Sequence, residues 1–296
     1  MEGMDQRDTP SVVVTGVSTG IGNGTLHELV RAGYHVFGSV RKREDADRLS
    51  RELGASYTPL IFDVTDAAAL ASAAAEVRNA LGTRKLSGLV NNAGVAVPGP
   101  LLELPVAEFR RQIEVNLVSI LAVTQAFFPL LRKASDDGAK PGRIVMISSV
   151  AGRIALPFLG PYAASKHGLE GLSDSLRREC MLYGVDVVII DPASVATPIW
   201  NKAEALDLSA YAASPYREQL KRMKDSMVAS GKRGSPPEAI GRLVAQVLAA
   251  RKPRARYMVG KGSAGVWLLT HFVGARLVDR ALGRAFGLRK RPSARK

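Results

Sequence analysis

The alternation of short β-branched runs with longer helical stretches constrains the fold of this chain more than any other feature. Six runs predict strands: Ser11–Thr15, Tyr34–Val40, Tyr57–Phe62, Leu86–Asn91, Arg143–Ser148 and Val185–Asp191. The stretches between them predict helices: Ile21–Ala32, Glu44–Leu53, Asp66–Leu81, Val106–Lys133 and Pro161–Tyr183. Runs such as Val-Asp-Val-Val-Ile-Ile are apolar on both faces, which is typical of parallel strands covered by helices. The pattern predicts an α/β fold with a doubly wound parallel sheet, whose ligands lie at the carboxyl ends of the strands.

The chain divides into three parts along its length, and we expect a single folded domain. Residues 1–10 are expected to be a flexible N-terminus, residues 11–260 the catalytic domain, and residues 261–296 a basic extension. Within the domain, a variable region at about 198–235 is expected to set the substrate. Asn201–Ala229 and Pro237–Ala250 have helical patterns, and Arg256–Gly260 fits a last strand.

Composition excludes several classes of protein. An apolar fraction of 46% and a charged fraction of 23% are ordinary for a globular chain and unlike a disordered one. The single cysteine, Cys180, cannot form an intramolecular disulfide, and the four histidines form no cluster, so we expect no metal site. Residues 1–10 lack an apolar core, and we expect neither a signal peptide nor a transmembrane helix.

A glycine-rich turn follows the first predicted strand. The segment Thr15–Gly22 reads Thr-Gly-Val-Ser-Thr-Gly-Ile-Gly, with its three glycines between strand and helix. Gly16 permits a tight turn, and Gly20 and Gly22 permit close approach of a ligand and of the helix. The helix N-terminus then offers free N–H groups to a pyrophosphate. The alternative is a tight β-α turn without a ligand, but the position after the first strand favours binding.

Tyr162 and Lys166 lie one helical turn apart in a predicted helix, so they share a face. A phenol with a pKa of about 10 is a poor base at neutral pH, and a nearby ammonium lowers that pKa. The pair therefore predicts a general acid/base. An isolated Tyr-x-x-x-Lys on a surface helix would have no such role.

With these motifs the chain resembles the short-chain dehydrogenase/reductases. It also has Asn91-Asn92-Ala93-Gly94 at a strand end, Asn116, and Ser148-Ser149 in the family's order and spacing. The resemblance covers Ser11 to Trp200 and implies a Rossmann-type fold.

The resemblance implies a catalytic group of four residues. Tyr162 is the general acid/base, Lys166 lowers its pKa and binds the nicotinamide ribose, and Ser149 binds the substrate oxygen. Asn116 holds a water in a proton relay; without the other motifs it would be a polar residue satisfied by backbone. The remaining implied cofactor contacts are Gly16, Ser18, Thr19, Gly20, Ile21, Gly22, Asp63, Val64, Asn92, Ala93, Gly94, Pro192, Val195 and Thr197. Where the family usually has Pro-Gly, this chain has Pro192-Ala193, which is expected to alter the loop geometry.

The end of the second strand indicates the cofactor. No acid follows it before Glu44, and Arg41 is positioned to face a 2′-phosphate with help from Ser18. This favours NADP(H). NAD(H) remains the alternative if Arg41–Arg43 is only a solvated loop.

The stretch from Pro157 through Trp200 most resembles the subgroup of 17β-hydroxysteroid and retinol dehydrogenases, which implies a lipophilic alcohol or ketone as substrate. Phe158, Leu159 and Trp200, with the Met223/Met227 pair, are candidates to line its pocket; the alternative is that they are plain core. A ketoreductase for small carbonyls using NADH, and a cofactor-binding protein without turnover, are the competing functional hypotheses.

The formal charge of +14 is concentrated at one end. Residues 251–296 hold 13 basic residues against one acid, Asp279. Val266–Leu288 predicts an amphipathic helix with Arg276, Arg280 and Arg284 spaced by four, followed by more basic residues up to Lys296. Such a helix fits an anionic membrane surface, or else packs on its own body or on a partner subunit. No nucleic-acid-reading motif is present. We expect a cytoplasmic homodimer or homotetramer, by resemblance, with peripheral membrane association through residues 266–296 as an option.

Overall fold

A seven-stranded sheet organises the protein. The computed structural model describes residues 9–132, 141–205 and 207–288. The strands are β1 (Ser11–Val14), β2 (His35–Val40), β3 (Tyr57–Ile61), β4 (Leu86–Asn91), β5 (Arg143–Ile147), β6 (Asp186–Pro192) and β7 (Arg256–Val259). Their spatial order is β3-β2-β1-β4-β5-β6-β7, and every pairing is parallel. The prediction of a doubly wound parallel sheet is confirmed, and the order reverses between β1 and β4, where such folds bind ligands.

Helices cover both faces of the sheet. They are α1 (Gly20–Arg31), α2 (Arg43–Leu53), α3 (Ala67–Leu81), α4 (Val106–Ile113), α5 (Ser119–Leu131), α6 (Gly160–Glu179), α7 (Ile199–Glu204), α8 (Arg217–Lys232), α9 (Pro237–Ala249), α10 (Ser263–Phe272) and α11 (Ala275–Phe286). Alternate residues of a strand belong to two different core clusters, one on each face of the sheet. Val13 packs with α3 and α5, whereas Val12 and Val14 pack with α1 and α9. This two-sided burial explains why the strands are apolar throughout.

The predicted helix Val106–Lys133 is interrupted by one π-helical turn, Glu114–Val118. Lys133 itself lies outside the described residues. By length and composition alone, the helical stretch 106–131 is the one described segment that could cross a membrane. Its side chains Val123, Phe127 and Leu131 are buried in the core beside the sheet, which accounts for its apolar character.

The prediction of one helix over Asn201–Ala229 is wrong. The chain forms α7, a 3₁₀ turn at Ser209–Tyr211, and α8. After α7, Asp207 stabilises a short turn, because its carboxylate accepts hydrogen bonds from the amide and hydroxyl of Ser209 at 2.8 and 2.6 Å. Such a side-chain turn competes with helical hydrogen bonding.

The prediction of one helix over Val266–Leu288 is also wrong. α10 and α11 are separate helices, with Val273 and Gly274 in extended or polyproline-like backbone between them. Glycine in a helix interior costs about 1 kcal/mol relative to alanine, which favours the break here. The basic residues 289–296, like residues 1–8, lie outside the described part of the chain.

Candidate functional site

The carboxyl ends of β1, β4, β5 and β6 meet at one edge of the sheet. They carry the glycine turn, the Asn91–Gly94 segment, the two serines Ser148 and Ser149, and the loop after Pro192. The predicted motifs therefore share one cleft, and α6 brings Tyr162 and Lys166 to the same edge.

The glycine turn has the geometry of a phosphate cradle. Gly16 and Gly20 have φ of 72° and 63°, a region that favours glycine. A Cβ on Gly22 would collide with the carbonyl oxygen of Gly16, so only glycine fits there. Thr19, the residue before α1, makes no side-chain cap, which leaves the first N–H groups of the helix available to an anion. The residues present thus fit a dinucleotide pyrophosphate.

The segment after β4 holds this turn in place. The Thr15 hydroxyl accepts hydrogen bonds from the amides of Asn92 and Ala93, both at 3.0 Å. The Asn92 side-chain amide donates to the carbonyls of Thr15 and Gly16 at 2.8 and 3.1 Å. Asn92 and Ala93 therefore shape the cradle through protein contacts, and their direct contact with a cofactor stays a prediction, as does that of Gly94.

Two arginines lie near the glycine turn: Arg41, which follows β2 and was predicted, and Arg48 of α2, which was not. Arg41 is 71% exposed, and its Nη1 lies 3.9 Å from the Asp63 carboxylate. The Thr65 amide lowers the pKa of Asp63, with smaller contributions from the Thr65 hydroxyl and the Arg41 guanidinium. Arg48 of α2, which the sequence did not single out, donates to the carbonyl of Ser18 at 2.9 Å. Its one sequence signal was its position on the exposed face of the charged helix.

Two further predicted cofactor contacts, Val64 and Ile21, pack against the core of the protein. Val64 packs against the first core cluster and Ile21 against the second, each partly buried. Direct contact of Val64 or Ile21 with a cofactor stays a prediction.

Tyr162, Lys166 and Ser149 lie together. The Lys166 Nζ is 5.8 Å from the centroid of the Tyr162 ring and donates to the carbonyl of Ile147 at 2.8 Å. Ser149 caps a short 3₁₀ turn by accepting the Ala151 amide at 3.1 Å.

The pKa of Tyr162 is raised, which corrects the expectation that Lys166 lowers it. Tyr162 keeps part of its surface accessible but sits deep in the site, so desolvation raises its pKa, and interaction with Ser149 offsets this only in part. Burial also lowers the pKa of Lys166 to about 8, which weakens its charge at higher pH. The phenol is therefore held in its protonated, proton-donating form.

Asn116 is fully buried on the π-helical turn. Its side chain exchanges hydrogen bonds with the backbone N–H and C=O of Val95, both at 2.9 Å, and donates to the Ser165 hydroxyl at 3.2 Å. Ser165 in turn donates to the carbonyl of Tyr162 at 2.7 Å. Asn116 thus links the loop after β4 to α6, the helix that carries Tyr162 and Lys166. Its predicted water relay is untested.

A buried ionic cluster behind Lys166 was missed at the sequence level. Asp191 of β6 is fully buried, and its carboxylate lies 3.3 Å from Arg256 of β7. Arg256 also pairs with Glu170 of α6, which lies 3.2 Å from Arg153. Burial raises the pKa of Asp191 to about 6, although Arg153 and Lys166 lower it in part. The available sequence signal was Asp191, an acid that directly follows the apolar run Val187–Ile190 of the sixth strand.

The loop after β6 folds back toward the glycine turn. Ala193 continues the ladder by donating to the Val259 carbonyl at 2.8 Å, and it does not adopt positive φ. The expected effect of Ala193 on the loop geometry stays a prediction. The Thr197 side chain faces Gly20, and Val195 bridges to Ser235. Pro192 ends β6, so the loop is positioned to contact a cofactor bound at the turn.

Trp200 differs from its predicted role. Its indole N–H donates to the Val195 carbonyl at 2.6 Å, and its ring packs on Gly231 of α8. It therefore clamps the loop after β6 onto α8 and is not among the residues of the apolar cluster beside the site.

That apolar cluster contains the other substrate candidates. Phe158, Leu159, Leu220 and Met223 are buried together, with Met227 partly buried against them. Phe158 adopts a φ of 65°, unusual for a bulky residue, and its carbonyl accepts the Gly99 amide at 2.8 Å. Strained backbone of this kind collects at functional sites. The cluster also includes Phe286 and Leu288, which the sequence placed in a separate extension.

The structure also bears on two other kinds of site, a metal site and a surface depression. Among the described residues, no group of three His, Cys, Asp or Glu side chains could hold a metal ion. A depression on α11, lined by Arg276, Asp279, Arg280 and Arg284, lies on the extension and is distinct from the catalytic residues.

Comparison with known proteins identifies relatives along nearly the whole chain. NADPH-dependent 3-dehydrocapnine reductase of Ornithobacterium rhinotracheale is 39% identical over 90% of this chain and 94% of its own. Mouse retinol dehydrogenase 16 is 37% identical over 65% of this chain and 59% of its own. Human 17-beta-hydroxysteroid dehydrogenase type 6 is 35% identical over 66% of this chain and 60% of its own. The predicted likeness to the steroid and retinol subgroup is confirmed.

The fold has a solved counterpart. A short-chain dehydrogenase from Streptomyces avermitilis superposes with a TM-score of 0.74 at 24% identity, covering 95% of this chain and 98% of that one. The family profile described as short chain dehydrogenase matches residues 10–207, the part that contains every motif described above. The chain therefore belongs to the short-chain dehydrogenase/reductase family and is an NAD(P)-dependent oxidoreductase of carbonyl or alcohol groups.

Proposed function

We propose that the protein is an NADP(H)-dependent oxidoreductase that interconverts a lipophilic ketone and its alcohol. The observation that carries this proposal is the position of the buried apolar cluster of Phe158, Leu159 and Met223. Leu159 is the residue from which α6 begins, and α6 carries Tyr162 and Lys166 within its first two turns. The reacting oxygen would meet polar groups while the rest of the substrate meets apolar side chains. Residues 11–260 carry the chemistry, and residues 261–296 are an extension.

The nicotinamide supplies a hydride to the carbonyl carbon when bound. Tyr162 donates its phenolic proton to the carbonyl oxygen, and Ser149 donates a hydrogen bond to that oxygen. Its raised pKa keeps Tyr162 protonated at neutral pH, the form that carbonyl reduction consumes. Lys166 holds the ribose hydroxyls.

NADP(H) is the proposed cofactor, with NAD(H) as the weaker alternative. Arg41 and Arg48 flank the glycine turn, and guanidinium groups recognise phosphate well. Asp63 and Asp45 lie close to these arginines, so the local charge is mixed. The name of the bacterial relative, an NADPH-dependent reductase, supports the same choice.

The composition of the apolar cluster and the names of two relatives support a lipophilic substrate. The cluster beside the catalytic tyrosine is built from aromatic, leucine and methionine side chains. Two relatives are named for retinol and for a hydroxysteroid. A reductase for small carbonyls is the competing enzyme, and binding without turnover is the competing non-enzymatic role.

The replacement Tyr162→Phe tests the proposal. It removes the proton donor and should lower kcat/KM for ketone reduction by about 10²–10⁴-fold, while NADPH binding stays within about twofold. The control is Tyr183→Phe, since Tyr183 is 41% exposed and contacts Phe128 away from the site. The assay follows NADPH oxidation over a panel of steroid, retinoid and small ketones. Undiminished reduction by Tyr162→Phe would refute the acid/base role, and selective turnover of small ketones would favour the alternative enzyme.

A cytoplasmic homodimer or homotetramer is proposed for the assembly. Exposed apolar side chains on the stretch from α4 to α5, Val118 at 46% and Leu121 at 38%, lie on one of the helices expected to pair subunits. Light scattering at several protein concentrations tests this. A monomer at all concentrations would overturn it.

A further inference from the structure

The C-terminal helix pair, α10 with α11, reaches the apolar cluster of substrate candidates through the end of α11. Phe286 at the end of α11 and Leu288 just beyond it pack with Phe158, Leu159 and Met223. The side chain of Gln219 on α8 donates to the Gly287 carbonyl at 3.4 Å. The extension therefore contacts the apolar cluster directly.

The same helix pair is otherwise a surface element. No residue of α11 is buried. Phe272 is 73% exposed and Leu277 58%, and Leu268 and Trp267 are about half and two-fifths exposed. Several large apolar side chains that are exposed on one helix pair mark an interaction surface.

A basic ridge, Arg276, Arg280 and Arg284, runs along α11. The three arginines are spaced by four residues, so they lie along one side of the helix, with Asp279 as the one acid in residues 251–296. Arginines beside exposed apolar groups complement a surface that is both anionic and apolar.

We propose that the C-terminal helix pair docks on an anionic lipid bilayer, so that a lipophilic substrate passes between the membrane and the pocket past Phe286 and Leu288. Charge complementarity favours this occupant, because the ridge is cationic and the exposed side chains of α10 are large and apolar. The delivery step rests on the proposed function, whereas the docking step does not.

A second copy of this chain is the alternative occupant of the surface. Two copies of the basic ridge would repel each other unless acids met them, and α11 offers only Asp279. The charge pattern therefore favours lipid over self-association.

The test is vesicle sedimentation with the full chain. Binding should be strong to vesicles containing phosphatidylglycerol and weak to phosphatidylcholine alone. The triple variant Arg276→Gln, Arg280→Gln, Arg284→Gln should bind anionic vesicles on the order of a hundredfold more weakly. The charge-matched control is Arg78→Gln, Arg251→Gln, Lys252→Gln; these residues lie before β4 and β7, at the opposite edge of the sheet, and should change binding little.

Tryptophan fluorescence adds a positional readout. Brominated lipid should quench wild-type emission, and Trp267→Phe should lose most of the quenching, since the other tryptophan, Trp200, lies on α7 beside α8. Equal binding by the triple variant and its control, or equal binding to neutral vesicles, would overturn the proposal. Dissociation of an oligomer by the triple variant without vesicle binding would assign the surface to a second copy. Tyr162→Phe should dock normally, so failure of the proposed function and failure of docking are distinguishable.

Discussion

Replacing Glu170 by Gln should destabilise the protein more than an ordinary salt-bridge loss. Glu170 is 7% exposed and bridges Arg153 and Arg256, so α6 is tied through it to β7. Removing one partner of a buried pair typically costs about 3–5 kcal/mol, because the opposite charges lose their compensation.

Three features of the structure put the expected loss of stability for Glu170→Gln at the lower end of that range. Arg256 keeps Asp191 at 3.3 Å and Asp174 at 3.6 Å, and about a third of the Arg153 side chain is exposed to water. Glutamine also fills the same volume, so no cavity is created. We expect a loss of about 3 kcal/mol in the free energy of unfolding, or roughly 4–6 °C in Tm.

Urea unfolding at one fixed protein concentration measures the loss. The control is Asp186→Asn, which breaks the pair between Arg143 and Asp186 at 3.0 Å on neighbouring strands. Asp186 is 53% exposed, so this change should cost less than about 1 kcal/mol. If the two variants lose the same stability, the buried ionic cluster does not hold α6 to the sheet and the reasoning is refuted.

Three further predictions concern the cofactor site and pH. Arg41→Ala should raise KM for NADPH about tenfold and leave KM for NADH within about twofold, as measured by steady-state kinetics; equal effects on both would favour the NAD alternative. Gly22→Ala should weaken NADPH binding by at least about tenfold in calorimetry, because its Cβ meets the Gly16 carbonyl, whereas Gly171→Ala, with nothing within 4 Å, should have no effect. Asp191 has its pKa raised from 3.8 to about 6 by burial, so its protonated form favours the fold and this contribution is lost as pH rises through about 6. Unfolding free energies from about pH 4 to 7 should therefore fall about 2 kcal/mol more in wild type than in Asp191→Asn; parallel profiles would contradict this.

The parallel sheet and its active edge could be predicted because local signals coincide there. β-branched runs, the glycine turn and the Tyr162/Lys166 spacing each depend on residues close in sequence, and the topology of such folds then brings their ends together. The interruptions of helices were harder to predict than the sheet. The break at Val273–Gly274 carried a local glycine signal, but the amphipathic pattern outweighed it.

Residue type and spacing alone therefore determined the family and the basic character of the extension, and they led to the proposed catalytic trio. Only the tertiary structure decided what depends on distant contacts. Trp200 holds a loop against α8, and Asp191 and Glu170 share Arg256. Phe286 packs against the apolar cluster that contains Phe158, which lies 128 residues earlier in the chain. The physical reason is that burial and desolvation are set by neighbours in space. The same desolvation raised the pKa of Tyr162 where its sequence neighbour Lys166 predicted the opposite.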